Sequence, residues 1–164
     1  MIILGIDPGM ATMGYGVIRS EKSRIEIIDY GVITTPSTQP IPARLTSIYE
    51  SVGNLITHYK PDAVAFEELF FNKNVKTALI IGHARGAAMV AAAKERKELY
   101  EYTPLQVKQA VVGYGRADKQ QVQHMVRILL NLKEIPKPDD AADALAVAIC
   151  HAHSSNMGEM FKIR

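Results

Sequence analysis

Ile2-Ile3-Leu4-Gly5-Ile6-Asp7-Pro8-Gly9 opens the chain with an apolar run that ends abruptly on an acid and a turn. A short run of this kind bounded by Pro-Gly reads as a core strand, with Asp7 at its carboxyl end. Two further strand patterns follow at 14–19 (Gly-Tyr-Gly-Val-Ile-Arg) and 25–34. The turn residues at Pro8-Gly9 and Glu21–Ser23 make these three antiparallel neighbours. A Pro-rich loop from Pro36 to Pro42 precedes a helix over 43–59, where Leu45, Ile48, Tyr49, Val52, Leu55 and Ile56 keep helical spacing. Ala63-Val64-Ala65-Phe66-Glu67 is a second core strand ending on an acid. A long helix over 75–96, a strand over 99–102 and helices near 104–112, 118–131 and 140–152 complete the pattern. This order predicts an α/β fold with a five-stranded mixed sheet and helices on both faces. Residues 1–153 read as one domain, and 154–164 as a short polar, frayed tail.

The chain has 164 residues, 48% hydrophobic and 22% charged, which suits one globular domain and excludes a disordered chain. No apolar stretch is long enough to cross a bilayer, so no membrane role is expected. No basic leader with a cleavage site is visible, and Cys150, the single cysteine, lies in the last apolar helix as a small hydrophobe. Both point to a reducing, cytoplasmic location. Net charge is only +2, but between Tyr102 and Lys133 five cations (Lys108, Arg116, Lys119, Arg127, Lys133) meet one anion, Asp118. A basic segment in a chain with an acidic cluster suits a polyanionic substrate and metal chemistry.

Those acids are Asp7, Glu67, Asp140 and Asp143. Asp7 alone and the Asp140–Asp143 pair alone have ordinary explanations, whereas Glu67, closing a core strand, is harder to dismiss. Asp-Pro-Gly is a common turn, and Asp140 and Asp143 complement a helix dipole from the first turn. Together they are costly, because clustered like charges repel and a buried carboxylate needs compensation. In open α/β sheets, sites gather at strand carboxyl ends, where Asp7 and Glu67 meet if their strands are parallel and adjacent. Asp140 and Asp143, three apart, share one helix face. Oxygen-only ligands point to Mg²⁺ or Mn²⁺, and four carboxylates could hold two ions roughly 3.5–4 Å apart for in-line attack on phosphorus.

Gly5-Ile6-Asp7-Pro8-Gly9 with Gly14-Tyr15-Gly16, Phe66-Glu67-Glu68-Leu69-Phe70, Gln106-Val107-Lys108-Gln109, Val122-Gln123-His124-Met125-Val126 and Asp140-Ala141-Ala142-Asp143-Ala144-Leu145 together closely resemble the RuvC Holliday-junction resolvases. The resemblance runs to about His153, with the motifs in the family's order. It implies a ribonuclease-H-like fold, a homodimer, and Mg²⁺-dependent paired nicking of four-way DNA junctions that leaves 5′-phosphate and 3′-hydroxyl ends. It also implies branch-migration partners of the RuvA and RuvB type. It carries Asp7, Glu67, Asp140 and Asp143 onto the family's catalytic carboxylates, Lys108 and Lys119 onto its flanking lysines, and Phe70 onto its base-stacking aromatic. Glu68 and Asp139 offer neighbouring acids. Strand alternation allows only one of Glu67 and Glu68 to face the site, and the motif alignment selects Glu67 and Asp140.

The loop bearing Phe70, Phe71 and Lys73, and the Gly113-Tyr114-Gly115-Arg116 turn, are further candidate DNA contacts; Phe70 or Phe71 could stack on an unpaired base. The helix stretch around Gly82 and Gly86 is unusually small-sided, and either packs closely on the chain's own sheet or, as the resemblance suggests, contributes to a dimer interface. Three rivals remain. One is a phosphate-binding module of the actin or sugar-kinase type, for which the chain is too short. The others are a non-catalytic junction-binding protein and a related nuclease acting on RNA.

Overall fold

The computed structural model describes residues 1–22, 24–69, 75–154 and 158–164. Five strands, β1 (Ile2–Asp7), β2 (Thr12–Glu21), β3 (Arg24–Thr34), β4 (Ala63–Glu67) and β5 (Glu98–Tyr102), form one sheet in the order β3-β2-β1-β4-β5. β1, β2 and β3 pair antiparallel, whereas β1–β4 and β4–β5 are parallel. Thus the carboxyl ends of β1 and β4 lie side by side.

Alternation along the strands sorts the core into two layers. Ile3, Ala63, Ala65, Tyr100 and Tyr102 face one layer, with α3 (Pro104–Val112), α4 (Lys119–Leu129) and α5 (Asp139–Ser154). Leu4, Ile6, Val64 and Phe66 face the other, with α1 (Ile41–Tyr59) and α2 (Val75–Lys94). Asp7, in phase with Ile3, and Glu67, in phase with Ala63 and Ala65, therefore belong to the α5 layer.

α5 lies unusually close to the sheet. A Cβ on Gly14 would sit 1.9 Å from the Asp140 carbonyl oxygen, and one on Gly5 would sit 2.2 Å from that of Ala144. Gly16 meets Leu145 in the same way, at 2.7 Å. Gly5 pairs with Gly16, and Gly14 pairs with Asp7. The glycines thus pave β1 and β2 beneath the helix that brings Asp140 and Asp143.

Two expectations need correction. α1 begins at Ile41, inside the predicted loop, because a proline in the first turn loses no helical hydrogen bond. Residues 158–164 of the C-terminal tail are ordered against the sheet rather than frayed. α6 (Gly158–Phe161) leads into an antiparallel bridge between Lys162 and Tyr100, and Ile163 donates its N–H to the Leu99 carbonyl at 2.8 Å. β5 is an edge strand with free backbone groups, and the tail covers them. Phe161 packs beside Tyr102, with ring centroids 4.9 Å apart. Lys162 adds an ion pair to Glu98 at 2.6 Å.

Candidate active site

Asp7 and Glu67 come from neighbouring parallel strands, and Asp140 and Asp143 from the first turns of α5 above them. Their proximity shows in their protonation. Burial, then Glu67, Asp143 and Asp140, push the Asp7 carboxyl up to about 8, with Lys119 partly offsetting the rise. Asp7 and Glu67 are thus close enough for each to shift the other's ionisation. The Glu67 carboxyl is itself raised by burial and by Asp143, while the bond to Asp7 and the charges of Lys108 and Lys119 oppose that rise. Burial also raises Asp143, against the pull of Lys119. Glu68 follows the end of β4, and its N–H continues the pairing with β5 by donating to the Tyr102 carbonyl at 2.9 Å.

Helix capping sets the two lysines. α3 starts with a capping box between Thr103 and Gln106 and ends on Gly113, whose φ of 80° is left-handed. This fixes Lys108 one turn into the helix. α4 starts with a second box between Asp118 and Gln121, which places Lys119 at the first helical position. The Lys119 ammonium lies 3.0 Å from Asp143 and 3.3 Å from Asp139. Glu67, Lys108, Lys119 and Asp143 line a cavity of about 240 Å³, with Pro104, Val107, Val122 and Ala146 as its apolar walls.

All six residues predicted as catalytic thus converge on one corner of the α5 layer. Arg116 is exposed in the α3–α4 turn, outside the cavity lining. Phe70 and Lys73 lie outside the described residues. The contact of Asp139 with Lys119 was not anticipated, although its four-residue step to Asp143 was a visible signal. Among the described residues, no three acidic, His or Cys side chains already stand in position to hold an ion together. The Lys119 ammonium instead lies against the Asp143 carboxylate. A half-buried, all-oxygen set whose crowding disfavours its own ionisation is a chemically suitable host for hard divalent cations.

Fold and site define a class: a ribonuclease-H-like nuclease with a carboxylate centre at the ends of two parallel strands. The family model "Crossover junction endodeoxyribonuclease RuvC" matches residues 3–151. The crossover junction endodeoxyribonuclease RuvC of Alkaliphilus oremlandii (strain OhILAs) is 66% identical over 164 residues, the whole of both chains. A Thermus thermophilus RuvC structure superposes with a TM-score of 0.92 at 38% identity, covering 99% of this chain and 100% of that one. The T. thermophilus RuvC in complex with Holliday junction substrate gives 0.91 at 36% identity, with the same coverage. The chain belongs to the RuvC family of crossover junction endodeoxyribonucleases. It is a nuclease that resolves four-way DNA junctions, and membership implies dependence on a divalent cation.

Proposed function

We propose that Asp7, Glu67, Asp140 and Asp143 hold two Mg²⁺ ions, with Mn²⁺ able to substitute, and that this centre nicks one strand of a four-way junction. The observation that carries the reading is Asp7, a carboxyl pushed up to about 8 among three others at the ends of two parallel strands. The bound cations would activate water for in-line attack on phosphorus and stabilise the leaving 3′ oxygen. Asp7 would have to be ionised to hold a cation, so loading would release protons and strengthen with pH. Lys108 and Lys119 face the cavity and supply positive charge to the phosphate as negative charge builds on its oxygens. The apolar walls formed by Val107, Val122 and Ala146 exclude bulk water on that side. Arg116, exposed in its turn, and Lys73 contact backbone phosphates, and Phe70 stacks on an unpaired base at the crossover.

Paired nicks require two such centres, and a C2 homodimer supplies them with the approximate symmetry of the junction. α2 is our candidate for the interface. Val75, Leu79 and Val90 are exposed on it, and a Cβ on Gly86 would meet nothing within 4 Å. With Gly82 and Gly86 these positions follow one helical stripe. Branch-migration proteins of the RuvA and RuvB type are the proposed partners, and the cytoplasm the proposed location. Among the described residues no helix is long and apolar enough to cross a membrane.

The test uses an end-labelled four-way junction and a matched linear duplex, each with and without Mg²⁺. Symmetric nicks on the junction alone, dependent on metal and abolished in Asp7→Asn while binding persists, are the expected result. Cleavage that survives Asp7→Asn, or proceeds in chelator, would overturn the assignment of the carboxylates.

A further inference from the structure

Asp139 is outside the set of four carboxylates, yet it holds one of the two lysines. It lies one helical turn before Asp143 on the same face of α5, an i,i+4 step. On α4, Lys119 and Gln123 are likewise four apart, and the two faces meet. Lys119 reaches both acids, at 3.0 Å to Asp143 and 3.3 Å to Asp139. The two acids differ in setting, since the Asp143 side chain is 28% exposed and that of Asp139 is 61% exposed. Gln123 is buried beneath Asp139. Its carboxamide, and after it the Lys119 ammonium, hold Asp139 below the usual carboxylate range. The Gln123 nitrogen nonetheless lacks full hydrogen-bond geometry, so its influence is that of a nearby dipole.

A lysine that neutralises Asp143 competes with any cation that needs the same oxygens. When a divalent cation takes Asp143, the ammonium loses that partner and is repelled by the incoming charge. A free lysine on a four-carbon stem would then swing into solvent and be lost to the phosphate. We propose that Asp139 is a positioning residue that retains Lys119 at the rim of the site when Asp143 is committed to metal. Asp139 stands outside the four proposed metal ligands, and an acid that binds no cation stays available to the ammonium. The inference rests on Lys119 serving the reaction.

The first readout needs no cleavage. N-hydroxysuccinimidyl acetate labels exposed lysines, and mass spectrometry reports acetylation at Lys119 in the protein without DNA. In the wild type, adding Mg²⁺ should change Lys119 labelling by less than about twofold, because Asp139 keeps hold of it. In Asp139→Asn, Mg²⁺ should raise labelling about three- to fivefold, the range expected for losing an exposed ion pair. The second readout is single-turnover junction cleavage at saturating Mg²⁺. Asp139→Asn should slow it about three- to fivefold, Asp139→Glu should recover most of the rate, and Asp139→Asn should add nothing in a Lys119→Met background. Equal labelling responses in wild type and variant, or an Asp139→Asn loss that persists with Lys119→Met, would overturn the proposal. Lys119→Met cleaving at the wild-type rate would instead remove its premise, so the two failures are distinguishable.

Discussion

α5 and α2 are built from much the same material and behave in opposite ways. Both are rich in alanine and lie on opposite faces of one sheet. In α5, ten residues from Ala141 to His151 are buried; in α2, only Ala84, Ala88, Ala91 and Ala92 are. The difference lies in where the glycines sit. Under α5 they are in the strands, so the helix backbone descends onto β1 and β2 and carries Asp140 and Asp143 down to Asp7. In α2 they are in the helix itself, and Gly86 faces open space. Small residues bring backbones together only where something is there to meet them. α5 meets its own sheet along its length; α2 meets it through Ala84, Ala88, Ala91 and Ala92 and leaves the Gly86 side open.

The sharpest way to break this contrast is Gly14→Ala. The new methyl would sit 1.9 Å from a backbone carbonyl that cannot rotate away. A stability loss of about 3 kcal/mol or more by denaturant titration is expected, with residual folded protein cleaving at least about a hundredfold more slowly. A near-wild-type variant would show that α5 can rise without harm.

A smaller effect of opposite sign is expected from Asp7→Asn without metal. Asp7 has a folded value of about 8 against 3.8 in the unfolded chain, so folding takes up a proton between those limits. Stability from this group is therefore present at low pH and lost as pH rises toward 8. His151 works the other way. Burial beside Tyr102 lowers it from 6.5 to about 4, so it costs stability as pH falls through that window. Above pH 6.5 the carboxylates dominate. The chelated wild type should lose Tm from pH 6.5 to 8, and Asp7→Asn should flatten that slope and gain about 1–3 kcal/mol at pH 8. A wild-type Tm that rises over this range would contradict the raised Asp7 carboxyl.

The smallest effect on the fold is expected at α2. Gly86→Leu should leave chemical stability of the monomer within about 1 kcal/mol, since a helical glycine with free space around it gains propensity on substitution. Sedimentation should nonetheless shift from dimer to monomer. An unchanged dimer would move the interface elsewhere.

Much of this was legible in the residues. The apolar runs ending on Asp7 and Glu67 marked two core strands whose parallel adjacency stayed a condition; the structure meets it, and it puts Glu67, in phase with Ala63 and Ala65, on the α5 side. Other features were not legible, for identifiable reasons. The docked tail depends on β5 being an edge strand, which nothing within residues 154–164 encodes. The Gly14-Tyr15-Gly16 motif marks a close approach without saying what approaches. Of the two readings open for Gly82 and Gly86, packing on the chain's own sheet is excluded at Gly86, because helix composition does not state which face looks inward.

The sequence by itself determined the elements, their order and the four acids at their ends, because strand alternation, helical spacing and turn chemistry are local. Only the tertiary structure decided that burial and neighbouring acids push the Asp7 carboxyl up, that Glu67 is raised beside it and that Lys119 divides itself between Asp143 and Asp139. Those outcomes are electrostatic, and electrostatic energy follows distance through space and exposure to water, which separation along the chain does not specify.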